Sequence, residues 1–97
     1  MEFKKKVLEK ISEIPRGKVS TYKQIARAVG SPKASRAVGN VLAENPKPEK
    51  FPCHRVVRSD GRLGGYSGRR NKESLLREEG VKVRDGKVDL DRFGVSI

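Results

Sequence analysis

Thr21-Tyr22-Lys23-Gln24-Ile25-Ala26-Arg27-Ala28-Val29-Gly30-Ser31-Pro32-Lys33-Ala34-Ser35-Arg36-Ala37-Val38-Gly39-Asn40-Val41-Leu42-Ala43 reads as two short helices around a tight Gly-Ser turn. Thr21 and Gln24 have the spacing of a capping box, with Ile25, Ala26 and Val29 on one inward face and Gly30 at the end. Ser31 is placed as the N-cap of the next helix, with Pro32 at its first position. That helix is expected to run from Lys33 to about Ala43, stopped by Asn45-Pro46. Such a pair is a helix-turn-helix candidate, although any small bundle contains one. Its second helix is unusual in carrying Ala34, Ser35, Ala37 and Gly39, all small, around Arg36. Small side chains let a helix come close to another surface. That surface is either a neighbouring helix or something outside the chain.

On the N-terminal side, Phe3, Val7, Leu8, Ile11 and Ile14 recur at helical spacing among lysines and glutamates, and Pro15-Arg16-Gly17 ends the pattern. On the C-terminal side, Lys47 to Lys50 is a loop leading to Phe51-Pro52. Cys53 to Val57 reads as a short strand or extended turn, and Arg58 to Arg62 as the turn at the tip of a ribbon. Leu63 to Gly68 is too glycine-rich to pack a core and suits backbone that approaches a ligand closely. A further helix is expected over Asn71–Glu79, with Leu75 and Leu76 inward and Gly80 as its C-cap. Val81-Lys82-Val83 and Lys87-Val88-Asp89 flank Arg84-Asp85-Gly86 as a terminal hairpin. A chain of 97 residues with 34% hydrophobic content supports one domain, 1–97, around a thin aliphatic core.

Lys and Arg total 23 against 12 Asp and Glu, a formal charge of +11 that exceeds what solubility requires. Charge of this size fits a protein that docks on phosphates, and equally a generic basic surface. The single Cys excludes an internal disulfide and a Cys-rich zinc site, and fits a reducing, cytoplasmic setting. No apolar run is long enough for a signal peptide or membrane span, so a soluble, intracellular protein that binds no membrane is expected.

That one Cys and the one His are neighbours, Cys53-His54, inside Phe51-Pro52-Cys53-His54-Arg55-Val56-Val57. An imidazole beside a thiol, directly or through one water, can take its proton and stabilise the attacking sulfur anion. Taken singly, a lone Cys is usually a buried small hydrophobe and a lone His a surface or capping residue. Adjacency, the preceding Pro and the following Arg favour a reactive pair. Arg55 either lowers the thiol pKa by its charge or contacts a phosphate. A carboxylate is needed to orient the His. Spacing does not choose among the Asp and Glu residues beyond position 48.

Pro52-Cys53-His54-Arg55-Val56, with Arg36-Ala37-Val38-Gly39 and Asn45-Pro46 before it and Gly65-Tyr66-Ser67-Gly68 after it, resembles the O6-alkylguanine-DNA alkyltransferase family. The likeness runs from Phe3 to Gly80 and covers the DNA-binding, active-site domain, without the N-terminal α/β domain that longer relatives carry. It implies a mainly α chain, a small helical bundle with winged helix-turn-helix-like architecture, a short β-ribbon around the active site and a C-terminal hairpin. The function it implies is repair by irreversible transfer of a methyl or other alkyl group from guanine O6 in double-stranded DNA to Cys53, by a monomer without cofactor or metal. In the roles it implies, His54 is the base acting through water, Glu79 holds His54, and Asn45 braces the turn. Tyr22 presses on the phosphate beside the lesion and helps to rotate the nucleotide. Arg36 replaces the flipped base, with Ala34, Ser35, Ala37 and Gly39 in the minor groove. Val56, Tyr66, Ser67 and Gly68 would form the pocket for the extruded guanine. The tail after Gly80 resembles instead the short alkyltransferase-like proteins, which bind alkylated DNA and have Trp or Ala at the Cys position. The alternative is therefore a lesion-binding protein that recruits another repair pathway without transfer.

Overall fold

The amphipathic N-terminal pattern forms α1 (Glu2–Ile11), with Val7, Leu8 and Ile11 buried. The computed structural model describes residues 2–44, 47, 50–63 and 72–95. Beyond α1 the chain turns rather than stopping. Ile14 donates to the Ile11 carbonyl and is itself buried, and Pro15, which cannot continue a helix, follows it.

Two residues of strand, β1 (Ser20–Thr21), lead directly into α2 (Tyr22–Ala28). The Thr21 hydroxyl accepts from the Gln24 N–H at 3.1 Å, as an N-cap should. Gln24 Oε1 takes the Ser20 hydroxyl proton at 2.8 Å, so the side-chain limb of the cap reaches one residue further back. The second helix of the pair, α3 (Ser35–Ala43), begins later than its sequence signals suggest. Ser31 caps no helix. Its carbonyl accepts from the Ala34 N–H at 2.9 Å, closing Ser31-Pro32-Lys33-Ala34 into a separate turn, and Ala34 stands at the N-cap without a side-chain bond. Pro32 fixes that turn instead of opening the helix.

Cys53–Arg55 is one 3-10 turn, not extended backbone, and only Val56–Val57 continue as strand β2. The expected ribbon beside the site is a parallel ladder, Ser20 opposite Val56 and Thr21 opposite Val57. After it come α4 (Lys72–Glu78), β3 (Val83–Arg84) and β4 (Lys87–Val88). Gly80, at φ +89°, ends α4 by letting the Val81 N–H return to the Leu76 carbonyl at 3.0 Å. The Asp-Gly hairpin is present, with Asp85 and Gly86 both at positive φ, the pairing a two-residue type I′ turn requires. Asp89, read above as strand, instead caps a short helix α5 (Leu90–Phe93) by accepting from the Asp91 N–H.

The apolar residues form two cores. One holds Val7, Leu8, Ile11, Ile14, Ile25, Ala26, Val38, Leu42, Cys53 and Val56, where α1, α2 and α3 meet. The other holds Val19, Val57, Leu76, Val81, Val83, Val88 and Phe93. Strand side chains alternate in direction, so Val56 enters the first core and Val57 the second. The β1–β2 ladder is thus the wall between them. The tail is tied to its far end, since Val19 donates to Phe93 and accepts from Val95. Among the described residues no helix is long and apolar enough to cross a membrane.

Gly61 holds φ +90°, and a Cβ there would run into the Val88 carbonyl oxygen, whose residue also donates to the Gly61 carbonyl at 2.9 Å. Gly61→Ala is expected to cost about 2 kcal/mol, through the left-handed backbone and the forced opening of this contact. Urea denaturation checks it: the midpoint should fall while the slope stays unchanged.

Candidate active site and nucleic-acid interface

The 3-10 turn sends three consecutive side chains in three directions, about 120° apart. It is held at its start by Cys53 N–H to the Phe51 carbonyl at 2.7 Å and at its end by Arg55 N–H to the Pro52 carbonyl at 2.9 Å. Cys53 enters the first core and is 3% exposed, whereas His54 and Arg55 both turn to Glu79.

Glu79 follows α4 directly, and its side chain is 6% exposed. Oε2 lies 2.8 Å from His54 Nε2 and 2.8 Å from an Arg55 terminal nitrogen, while Oε1 accepts from Arg55 Nε at 2.9 Å. Arg55 uses its remaining arm on the Ile14 carbonyl, at 2.8 Å. Burial acts to raise the Glu79 pKa, but the hydrogen bonds from Arg55 and His54 outweigh it and hold the carboxyl at about 2. An ionised carboxylate only accepts, so Nε2 carries the proton in that bond. The neutral ring then has its lone pair on Nδ1, a buried atom. Burial lowers the His54 pKa, helped by the charges of Arg55 and Lys72, against the pull of Glu79. The ring is therefore neutral near pH 7 and able to accept a proton.

The structure gives Arg55 partners that the sequence did not name. This side chain is the bidentate partner of Glu79 and a tie to the end of α1. Lys72 was missed altogether. It is 5% exposed, donates to the Val56 carbonyl, and holds Nζ 5.8 Å from the centre of the Tyr22 ring. Burial pushes its ammonium down to about 8; a charged Cys53 sulfur acts in the opposite direction and Arg58 in the same one. Burial and the Cys53 charge raise the Tyr22 phenol, opposed by Arg58. Lys72 could have been found from helix spacing, because it shares the inward face with Leu75 and Leu76.

The structure thus brings Cys53, His54, Glu79 and Tyr22 into one locality, with Val56 beneath, its side chain in the first core and its carbonyl on Lys72. Arg36 lies on α3 with its side chain exposed, and Ser35, Ala37 and Gly39 are half-buried, as is Ala34 at the cap. A Cβ on Gly39 would meet nothing within 4 Å, so no packing within the described residues requires glycine there. Asn40, one turn from Arg36 and exposed, joins this face and went unnoticed in the sequence. Asn45, Tyr66, Ser67 and Gly68 lie outside the described residues. Among those described, no group of His, Cys, Asp and Glu could hold a metal ion.

A thiol in the same short turn as an imidazole held by an ionised carboxylate is the composition of a nucleophilic site, and α3 separately exposes Arg36 and Asn40 among small residues. The chain belongs to the 6-O-methylguanine DNA methyltransferase family, whose DNA-binding domain profile matches residues 2–81. A methylated-DNA–protein-cysteine methyltransferase of Methanothermobacter thermautotrophicus is 48% identical over 84 residues, 84% of this chain and 46% of that protein. The one from Rattus norvegicus is 46% identical over 82 residues, 81% of this chain and 39% of its own length. The chain thus spans less than half the length of these curated relatives. Among solved structures, S. pombe Atl1 in complex with damaged DNA containing O6-carboxymethylguanine superposes with a TM-score of 0.87 at 36% identity, covering 99% of this chain and 96% of that one. Mycobacterium tuberculosis OGT in complex with DNA gives 0.77 at 39% identity, over 81% and 50%.

Both carboxyl and imidazole have depressed pKa values, so the unfolded chain binds more protons in acid and stability falls as the pH is lowered. The His54 contribution is lost as pH drops below about 6.5, and that of Glu79 below about 4.5 and on toward 2. Glu79→Gln is expected to cost about 2–3 kcal/mol at pH 7 and little near pH 2. Urea midpoints of the two proteins across this range should converge in acid.

Proposed function

We propose that this protein repairs O6-alkylguanine in double-stranded DNA by moving the alkyl group to its own Cys53. The observation that carries the reading is the His54–Glu79 bond at 2.8 Å, which leaves the basic ring nitrogen for the proton of the neighbouring thiol. His54 takes that proton, through water as the resemblance implies, and the sulfur attacks the alkyl carbon. The C–O6 bond breaks, the S–C bond forms, and the departing guanine takes a proton from Tyr22, which regains one from the imidazolium of His54. A thioether is a poor leaving group, so each molecule acts once.

A sulfur 3% exposed cannot reach an atom inside a duplex, so the nucleotide must leave the stack. Arg36, exposed on α3, would fill the vacancy, while Ser35, Ala37, Gly39 and the Ala34 cap lie against the minor groove. The DNA complexes of Atl1 and of the M. tuberculosis protein support DNA as the partner. Asn45, Tyr66, Ser67, Gly68 and Val56 keep the bracing and pocket roles that the family likeness implies.

Lesion binding without transfer is the second reading, favoured by the near-complete mutual coverage with Atl1. Duplex carrying a labelled methyl on guanine O6 separates the two. Stoichiometric label on the Cys53 peptide, abolished in Cys53→Ala with lesion binding kept, is the expected result. Tight binding without label would establish the second reading.

Gly39→Ala offers an independent check of the helix face. The added methyl finds open space and improves helix propensity, so stability should rise by about 0.5–1 kcal/mol. DNA affinity should fall nevertheless, because the same methyl stands where the groove must approach. Unchanged affinity in a binding titration would remove α3 from the interface.

A further inference from the structure

The parallel register of Thr21 with Val57 makes Tyr22 and Arg58 the residues that leave the ladder side by side, at the same end. Arg58 is held there by its backbone, donating to the Arg62 carbonyl at 2.8 Å and accepting from the Gly61 N–H at 2.9 Å. Its side chain is exposed, and no carboxylate among the described residues pairs with it. Its charge nonetheless reaches the Tyr22 phenol and the Lys72 ammonium, the two groups that also respond to charge on Cys53. The nearby carboxylate, Glu79, is taken up by Arg55 and His54. Tyr22, packed against the core that holds Cys53, is therefore flanked by two cations, Arg58 just beyond the end of the ladder and the buried Lys72.

We infer that Arg58 selects O6 substituents that carry a negative charge, carboxymethyl above a neutral alkyl group of similar length. The inference rests on the proposed function above, in that O6-alkylguanine must reach Cys53, and names the substituents that site takes best. An anionic adduct approaching an anionic sulfur meets like-charge repulsion, which a cation at the rim offsets. In the transfer, the Cys53 sulfur bonds to the carboxymethyl carbon and the C–O6 bond breaks. The thiol proton ends on guanine, and the carboxylate stays on the thioether.

The test compares duplexes bearing O6-carboxymethylguanine or O6-ethylguanine, by single-turnover transfer to the wild-type protein and by binding to Cys53→Ala. Arg58→Ala, made in both backgrounds, should lower the carboxymethyl-to-ethyl ratio about fivefold, the size of a partly exposed charge pair. Arg58→Glu should lower it further, and Arg58→Lys should restore most of it. An unchanged ratio overturns the inference. Equal loss on both lesions with a shallower salt dependence also overturns it, making Arg58 a backbone phosphate contact. If no label reaches Cys53 on either duplex but the binding ratio still follows Arg58, transfer is refuted and the charge selection stands.

Discussion

One carboxylate joins the parts of this molecule that chemistry needs together. Glu79 comes after α4, accepts from His54 and Arg55 in the 3-10 turn, and is tied through Arg55 to the Ile14 carbonyl beyond α1. The Gly17 N–H approaches its other oxygen at 3.5 Å. Three segments far apart in the chain thus converge on two oxygens. Arg55 and His54 compete for the same charge. Burial is the main reason that the imidazole stays neutral rather than locked in an ion pair, and the permanent charge of Arg55 on the same carboxylate adds to it.

The ladder between the cores sets the rest of the site. Two residue pairs are a small sheet, yet they fix where Val56 and Val57 point and therefore which core each fills. They also start α2 at Tyr22 and deliver Lys72 to the Val56 carbonyl. Taking an ammonium out of water is costly, and burial accordingly holds the Lys72 pKa down to about 8. The ammonium is tolerated beside a group that can become an anion.

Much of this was legible because the signals were local. Gly80 and Asp85-Gly86 each encode a cap or turn within a few residues and formed as read, while Thr21 caps α2 as read but the Gln24 side chain turns to Ser20. The Ser31-Pro32 signal was equally local but supports either a helix start or a closed turn, and the turn won. Four-residue α5 is too short for periodicity to reveal. In the site, adjacency disclosed the Cys53-His54 pair, whereas spacing could not single out Glu79, 25 positions from His54; the family likeness did. The partners of Arg55 were hidden for the same reason, lying 24 and 41 positions away.

The family profile ends at residue 81, but the second core does not. Val83, Val88 and Phe93 belong to it, and the backbone around Phe93 and Val95 brackets Val19 just ahead of the β1 strand. A border drawn by sequence likeness is therefore no border of cooperative folding. The segment beyond the profile works as the keel beneath the reactive half, and substitutions at Val83, Val88 or Phe93 would be felt as far away as the β1 strand.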